Sequence, residues 1–201
     1  MSKSNRKLIL NRISHRTKIL QDNADYIADT CSSIAEILAI SIKSGNKLMF
    51  CGNGGSAAES QHMAAEYCAT LDHHKPREGM PAIALTTDTS LITAWANDFG
   101  FETYFERQVK AHGKKNDILF LISTGGGNLL NGASTCLIKA ADEAKKREMF
   151  LISLVGKSGG ELKKTSDICI HVANDTTAFI QEAHMSILHC ICEILETELA
   201  K

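Results

Sequence analysis

The feature that most constrains the fold is a series of short, continuous apolar runs, each followed by a pattern typical of a helix. A strand that is apolar along its whole length has both faces buried, and such strands occur in parallel sheets covered by helices on both sides. The runs therefore predict a three-layer α/β fold around a five-stranded parallel sheet. The predicted strands are residues 47–51, 81–85, 117–122, 149–154 and 168–172.

The first 45 residues carry no strand pattern. Apolar residues at helical spacing continue from Leu8 to Ile42 without a break, which predicts one long helical arm. The start is basic, with no acid before Asp22, and a cleaved targeting presequence is the alternative interpretation of that composition. We therefore divide the chain into a helical arm at residues 1–45 and an α/β domain at residues 46–201.

Composition argues against several classes of partner. The chain has 22 basic and 23 acidic residues and a formal net charge of −1, so it lacks the broad basic field that nucleic acid attracts. No run of about 18 apolar residues occurs, which argues against a membrane span. Its seven cysteines are scattered and form no C-x-x-C pair, as expected for reduced thiols in a cytoplasmic protein.

Two glycine-rich turns follow predicted strands and are the candidate ligand loops. Residues 52–56 read GNGGS after the first strand, and residues 123–128 read STGGGN after the third. Ligands of parallel sheets bind at the carboxyl ends of strands, where helix N-termini favour anions. Ser56 is expected to cap the following helix, and Ala57 rules out a dinucleotide fingerprint. Two such loops fit one phosphomonoester held from both sides, with a plain tight turn as the alternative for the first.

Four polar residues are candidates for proton transfer or metal binding. His62 and Glu66 lie one helical turn apart and share a face, although an exposed ion pair is the plainer interpretation. Gln181 and His189 lie on a mostly apolar last helix, eight residues and therefore about 80° apart. Periodicity does not choose between His189 and His184, and a buried core histidine is the plainer interpretation of either.

These residues resemble those of the SIS (sugar isomerase) family, and specifically of the phosphoheptose isomerases. The similarity runs from about residue 30 to the C-terminus, and its pieces follow the family order. The resemblance implies a flavodoxin- or Rossmann-like three-layer α/β/α domain with an N-terminal helical arm, assembled as a homotetramer with active sites shared between subunits. The matching stretches are CGNGGSA, QHMAAE, PAIALTTDTS with ANDFGFE, DILFLIST, LVGKSGGEL and IQEAHMSILH.

The resemblance also implies a chemistry. It implies an enzyme that interconverts sedoheptulose 7-phosphate and D-glycero-D-manno-heptose 7-phosphate on the route to lipopolysaccharide. By position, Glu66 would be the base at the first two sugar carbons and His189 the partner acid/base, with Asp98 also catalytic. One zinc per subunit would be held by His62, Glu66, Gln181 and His189. Substrate would be held by Asn53, Gly54, Gly55, Ser56, Glu66, Asn97, Asp98, Ser123, Thr124, Gly125, Asn128 and Gln181.

The second loop departs from the family's usual Ser-Thr-Ser-Gly-Asn-Ser, and about six extra residues follow it. We expect backbone N–H groups of the glycines at 125–127 to replace the missing hydroxyls. Phe179 also stands where many relatives have arginine. The close alternative is a non-catalytic SIS relative that binds a replication-initiation protein, but such relatives lack the catalytic glutamate and histidine. An isomerase of another sugar phosphate is the second alternative, because the loop is altered.

Overall fold

The computed structural model describes residues 3–199, so the first two residues of the predicted arm and the last two of the predicted domain lie outside the described residues. All five strands are parallel and form one sheet, which confirms the predicted fold class. The strands are β1 (Leu48–Gly52), β2 (Ala82–Ala84), β3 (Ile118–Ser123), β4 (Phe150–Gly156) and β5 (Ile168–Val172). Their order across the sheet is β2-β1-β3-β4-β5.

Helices connect the strands and cover both faces of the sheet. Within the described residues, none of them combines the length and the apolar character that a bilayer crossing needs. The helices are α1 (Lys3–Gln21), α2 (Ala24–Lys43), α3 (Gly55–Cys68), α4 (Thr89–Phe99), α5 (Tyr104–His112), α6 (Thr135–Lys146), α7 (Leu162–Thr165) and α8 (Thr177–Leu199).

Alternate strand residues point to opposite layers, which explains why the strands read as continuous apolar runs. Phe50 and Phe120 pack with α2, α3 and α8 on one face. Met49 and Leu119 pack with α5 and α6 on the other face. The central strands are therefore apolar at nearly every position, as a sheet covered on both sides requires, with the buried Ser153 in β4 as an exception.

The predicted single helix of the arm is wrong, because the chain forms two helices separated by a turn at Asp22 and Asn23. The Asn23 side-chain amide donates to Ile19 O at 2.9 Å, the kind of local bond that competes with helix continuation. No residue of α1 is buried, whereas α2 packs in the same core cluster as α8. The division of the chain at residue 45 stays a prediction.

The strand order reverses between β1 and β3, and that position locates the candidate site. In open parallel sheets, ligands bind at such a switch point, beyond the carboxyl ends of the strands. Gly52 at the end of β1 is aligned with Ile122 near the end of β3. The two glycine-rich loops therefore leave the sheet side by side.

Candidate active site

The loop after β1 leads directly into α3. Gly54 has a φ of 55° and is the N-cap residue, and the helix begins at Gly55. The prediction that Ser56 caps this helix is wrong, because a glycine at a positive φ turns the chain and starts the helix two residues earlier. The Ser56 hydroxyl is buried and has no hydrogen-bond partner among the described residues. It is therefore not committed to capping.

Gly55 brings the last helix against this loop. A Cβ atom at Gly55 would lie 2.1 Å from Gln181 Nε2, so any larger residue would displace the amide. The absence of a side chain at Gly55 lets Gln181, from α8, reach the first turn of α3. The structure thus places Gln181 at the first glycine-rich loop, as the resemblance implies for a substrate-binding residue.

Asn53 in the same loop is held from the opposite layer. Its Nδ2 donates to Cys136 Sγ at 3.2 Å, and the Cys136 thiol faces Asn53 Oδ1 at 3.6 Å. Cys136 lies in the first turn of α6 and is buried, and that burial raises the pKa of its thiol. The amide of Asn53 is therefore fixed in direction by a neutral neighbour.

The loop after β3 is shaped by glycines that meet the loop after β4. Gly126 has a φ of 71°, and a Cβ atom there would lie 1.8 Å from Gly159 O. A Cβ atom at Gly160 would likewise lie 2.2 Å from Gly127 O. Because backbone rather than side-chain atoms occupy this space, other residues at Gly126 or Gly160 would force the two loops apart.

The same loop uses some of its polar groups internally. Gly126 N–H donates to Ser123 Oγ at 3.0 Å, and Asn128 N–H donates to Ala133 O at 2.8 Å. Asn128 Oδ1 accepts from the backbone N–H of Leu130 at 2.8 Å. Thr124 is half-buried, and Gly125 borders open space. Only part of the glycine run is thus open to a ligand.

Side chains from α3 and α8 meet beside these loops. His62 Nε2 lies 2.9 Å from His189 Nε2, with the two rings edge to face. Glu66 Oε1 lies 3.6 Å from His62 Nε2. Glu66 is half-buried, while 43% of the His62 side chain is exposed. A carboxylate and two imidazoles on one accessible patch can exchange protons near neutral pH.

The structure also separates the candidate histidines of α8. His184 is fully buried, and neither of its ring nitrogens has a hydrogen-bond partner among the described residues. Burial lowers the pKa of His184 to about 4, so this ring is a neutral part of the core. His189 is the histidine of α8 that reaches the α3 side chains.

Asn97 and Asp98 lie at the exposed end of α4. Asn97 Nδ2 donates to Asp98 Oδ1 at 2.7 Å, so the two side chains are joined to each other. Among the contacts of the described residues, neither reaches the His62–His189 pair. The structure therefore shows both residues exposed and bonded to each other, with no direct contact to the histidine pair.

The donor atoms of this patch bear on zinc binding. In the part of the chain that the structure describes, no group of three or more His, Cys, Asp or Glu side chains is arranged to hold a metal ion. His62 and His189 nevertheless turn Nε2 towards each other, 2.9 Å apart. Two nitrogen ligands of a tetrahedral zinc, each at about 2.05 Å, lie about 3.3 Å apart. The pair fits zinc in donor type, and the two nitrogens would need to move apart by about 0.4 Å to bind one zinc ion.

One buried acid near the site escaped the sequence-based reasoning. Glu59 lies on α3, one turn before His62, and is 5% exposed with Oε2 unpaired among the described residues. Burial raises the pKa of its carboxyl to about 7. Helical spacing could have predicted this burial, because Glu59 lies one and two turns before Met63 and Tyr67 on the core-facing side of α3.

Comparison with known proteins places this geometry in a family. A family model of the SIS domain matches residues 13–156. The phosphoheptose isomerase of Akkermansia muciniphila is 40% identical over 183 residues, which are 90% of this chain and 93% of that protein. The phosphoheptose isomerase of a Roseiflexus species is 44% identical over 167 residues, 83% of this chain and 81% of that protein.

Solved structures give the same result. The phosphoheptose isomerase from Francisella tularensis superposes with a TM-score of 0.88 at 32% identity, over 98% of this chain and all of that one. The phosphoheptose isomerase from Neisseria gonorrhoeae superposes with a TM-score of 0.85 at 32% identity, over 96% of this chain and 98% of that one.

Proposed function

The chain belongs to the SIS-domain family and, within it, to the phosphoheptose isomerases, which are aldose–ketose isomerases, and from that membership we propose that it converts sedoheptulose 7-phosphate to D-glycero-D-manno-heptose 7-phosphate. One observation carries the proposal. His62 and His189 meet at 2.9 Å with Glu66 beside them, at the side of the two glycine-rich loops.

Isomerisation through an enediol needs a base and an acid at the first two sugar carbons. Glu66 takes the proton from one carbon and returns it to the other, while His189 exchanges a proton with the sugar oxygens. Each such group contributes about 10²–10⁴-fold to the rate. Glu66 is half-buried next to His62. This position supports the role of base because the carboxylate lies beside an imidazole and is still accessible.

Zinc is the proposed cofactor, one per subunit, with His62, Glu66, Gln181 and His189 as the proposed ligands. When bound, zinc would polarise the carbonyl oxygen of the open-chain sugar. The facing Nε2 atoms of His62 and His189 support this assignment. Gln181 lies against Gly55, so its amide is also positioned to orient the substrate.

The loops after β1 and β3 hold the sugar phosphate in this proposal. Ser56 contributes an uncommitted hydroxyl and, with Gly54 and Gly55, the N-terminus of α3, where partial positive charge favours an anion. Thr124 and Gly125 border the open part of the second loop. Ser123 and Asn128 act mainly by shaping that loop, because both already bind backbone N–H groups. Asn97 and Asp98 are retained as proposed substrate contacts.

We also propose that the active protein is a homotetramer in which active sites lie between subunits. The apolar side chains Leu8, Ile9, Leu10 and Ile13 on α1 are exposed in the single chain, and such a group of exposed apolar residues is typical of a surface that another chain covers. A cytoplasmic location is supported by seven free cysteines. The product would enter nucleotide-heptose synthesis for lipopolysaccharide as its first intermediate.

A substrate comparison tests the proposed reaction. Purified, zinc-replete protein is incubated with sedoheptulose 7-phosphate and, separately, with a ketohexose 6-phosphate, and the aldose product is quantified. We expect turnover of the heptulose phosphate and much slower turnover of the hexulose phosphate. The reverse preference would assign the site to another sugar phosphate, and no turnover of either would contradict the proposed reaction.

Metal analysis tests the cofactor separately. Active protein purified without chelator is expected to carry one zinc per subunit, and the variants H62A and H189A are expected to lose it because each removes a nitrogen ligand. Active wild-type protein without bound metal would refute the zinc assignment and leave the roles of Glu66 and His189 as proton-transfer groups intact.

A further inference from the structure

Arg77, in the segment between α3 and β2, caps the helix that carries His62 and Glu66. Its Nη2 donates to Glu66 O at 3.0 Å, and its Nη1 donates to Tyr67 O at 2.9 Å. α3 ends at Cys68, so both carbonyls belong to the last turn, where intrahelical partners are lacking. The guanidinium therefore fixes the backbone of Glu66 itself.

The same guanidinium is tied to α8. Arg77 Nε donates to Glu196 Oε1 at 2.8 Å, and only 15% and 13% of the two side chains are exposed. Glu196 also accepts from the backbone N–H groups of Leu71 at 2.8 Å and Asp72 at 3.3 Å. An ion pair that is largely buried, with both partners fully hydrogen-bonded, is held more rigidly than an ion pair on the surface.

Glu196 and His189 share a face of α8. They are seven residues apart, which on an α-helix is about 20° in direction and about 10 Å along the axis. Along α3, Gln181 meets Gly55 and His189 meets His62. The bond between Arg77 and Glu196 closes the far end of this same helix–helix contact.

We propose that Arg77 and Glu196 form a clamp that positions the reacting groups, by holding α3 and α8 at the spacing that brings Glu66 and His189 to one substrate. The proposal rests on the proposed isomerase function. A misplacement of about 1 Å costs about 10²-fold in rate. Lysine cannot replace Arg77, because one ammonium does not match the planar fork that donates to four backbone carbonyls and a carboxylate together. Both are positioning residues, because they act through the backbone of Glu66 and through α8.

The test compares R77K with a matched control, R147K. Arg147 on the loop after α6 makes the same kind of contacts, with Nε 2.9 Å from Glu143 Oε1 and Nη1 donating to Gly113 O at 3.2 Å. At a temperature where both variants are fully folded, R77K is expected to lower kcat by about tenfold or more and to change KM by less than about threefold. R147K is expected to keep wild-type kcat.

A readout without activity separates this proposal from the proposed function. Nuclear magnetic resonance of nitrogen-labelled histidine rings, with His62 assigned by H62N, reports the His62–His189 contact directly. We expect both ring signals to shift in R77K and E196Q but not in R147K. If the wild-type protein turns over no sugar phosphate, these ring signals still show whether Arg77 and Glu196 hold His62 against His189. Equal kcat in R77K and R147K, or unshifted ring signals in R77K, would overturn it.

Discussion

Glu59 gives the most quantitative prediction of this structure, because a carboxyl buried beneath the first glycine-rich loop must respond to pH. Its pKa is raised by burial from 4.5 to about 7. Between these values the folded state keeps a proton that the unfolded state has released. Stability is therefore fully present below pH 4.5, falls as pH rises towards 7, and changes no further above that.

The size of the effect follows from that shift. Each pKa unit corresponds to about 1.4 kcal/mol, so the full shift would remove about 3 kcal/mol of folding free energy. Relaxation of the protein around the ionised carboxylate reduces this to about 2 kcal/mol. E59Q keeps the shape of the side chain and cannot ionise, so it should be free of this loss.

Urea unfolding at fixed protein concentration measures the difference at about pH 4.5 and about pH 8. The free energy of unfolding of E59Q relative to wild type is expected to rise by about 2 kcal/mol between the two conditions. E36Q is the control, because Glu36 is exposed on α2, and its difference from wild type should not depend on pH. An unchanged difference for E59Q would refute the assignment of Glu59 as a buried, proton-binding carboxyl.

Three further predictions concern the loops and the arm. G126A should lower the free energy of unfolding by at least about 2 kcal/mol, measured by urea unfolding, because Ala at φ 71° would also meet Gly159 O. G55A should stay folded and lose about tenfold in kcat/KM in the turnover assay, because it displaces the Gln181 amide. I9S/I13S should lower the assembled mass in sedimentation equilibrium, because both side chains are exposed on one face of α1; an unchanged mass would contradict a role for α1 in assembly.

The sheet was predictable because its signal is local. The central strands β1, β3 and β4 are buried on both faces, so their apolar runs appear directly in the sequence. All five observed strands lie within two residues of the predicted ones. The break at Asp22 and Asn23 was not predictable in the same way, because apolar spacing continues across it. Ser56 was assigned as a cap because the positive φ of Gly54 has no signature of its own in the sequence.

The site could be predicted only in part, for a related reason. His62 and Glu66 are visible as a helical pair, but the contact of His62 with His189 spans 127 residues of sequence. The bond between Arg77 and Glu196 spans 119 residues, and no periodic pattern links two such positions. Tertiary packing of α3 on α8 creates both contacts, so they can be identified only from the three-dimensional structure.

The most direct test of the account is the kcat of E66Q for sedoheptulose 7-phosphate, measured beside wild type with folding and zinc content matched. Glutamine keeps the size and polarity of the side chain but cannot accept the proton. We expect a loss of about 10²–10⁴-fold in kcat. A kcat for E66Q within about threefold of wild type would contradict Glu66 as the base, and with it the proposed mechanism.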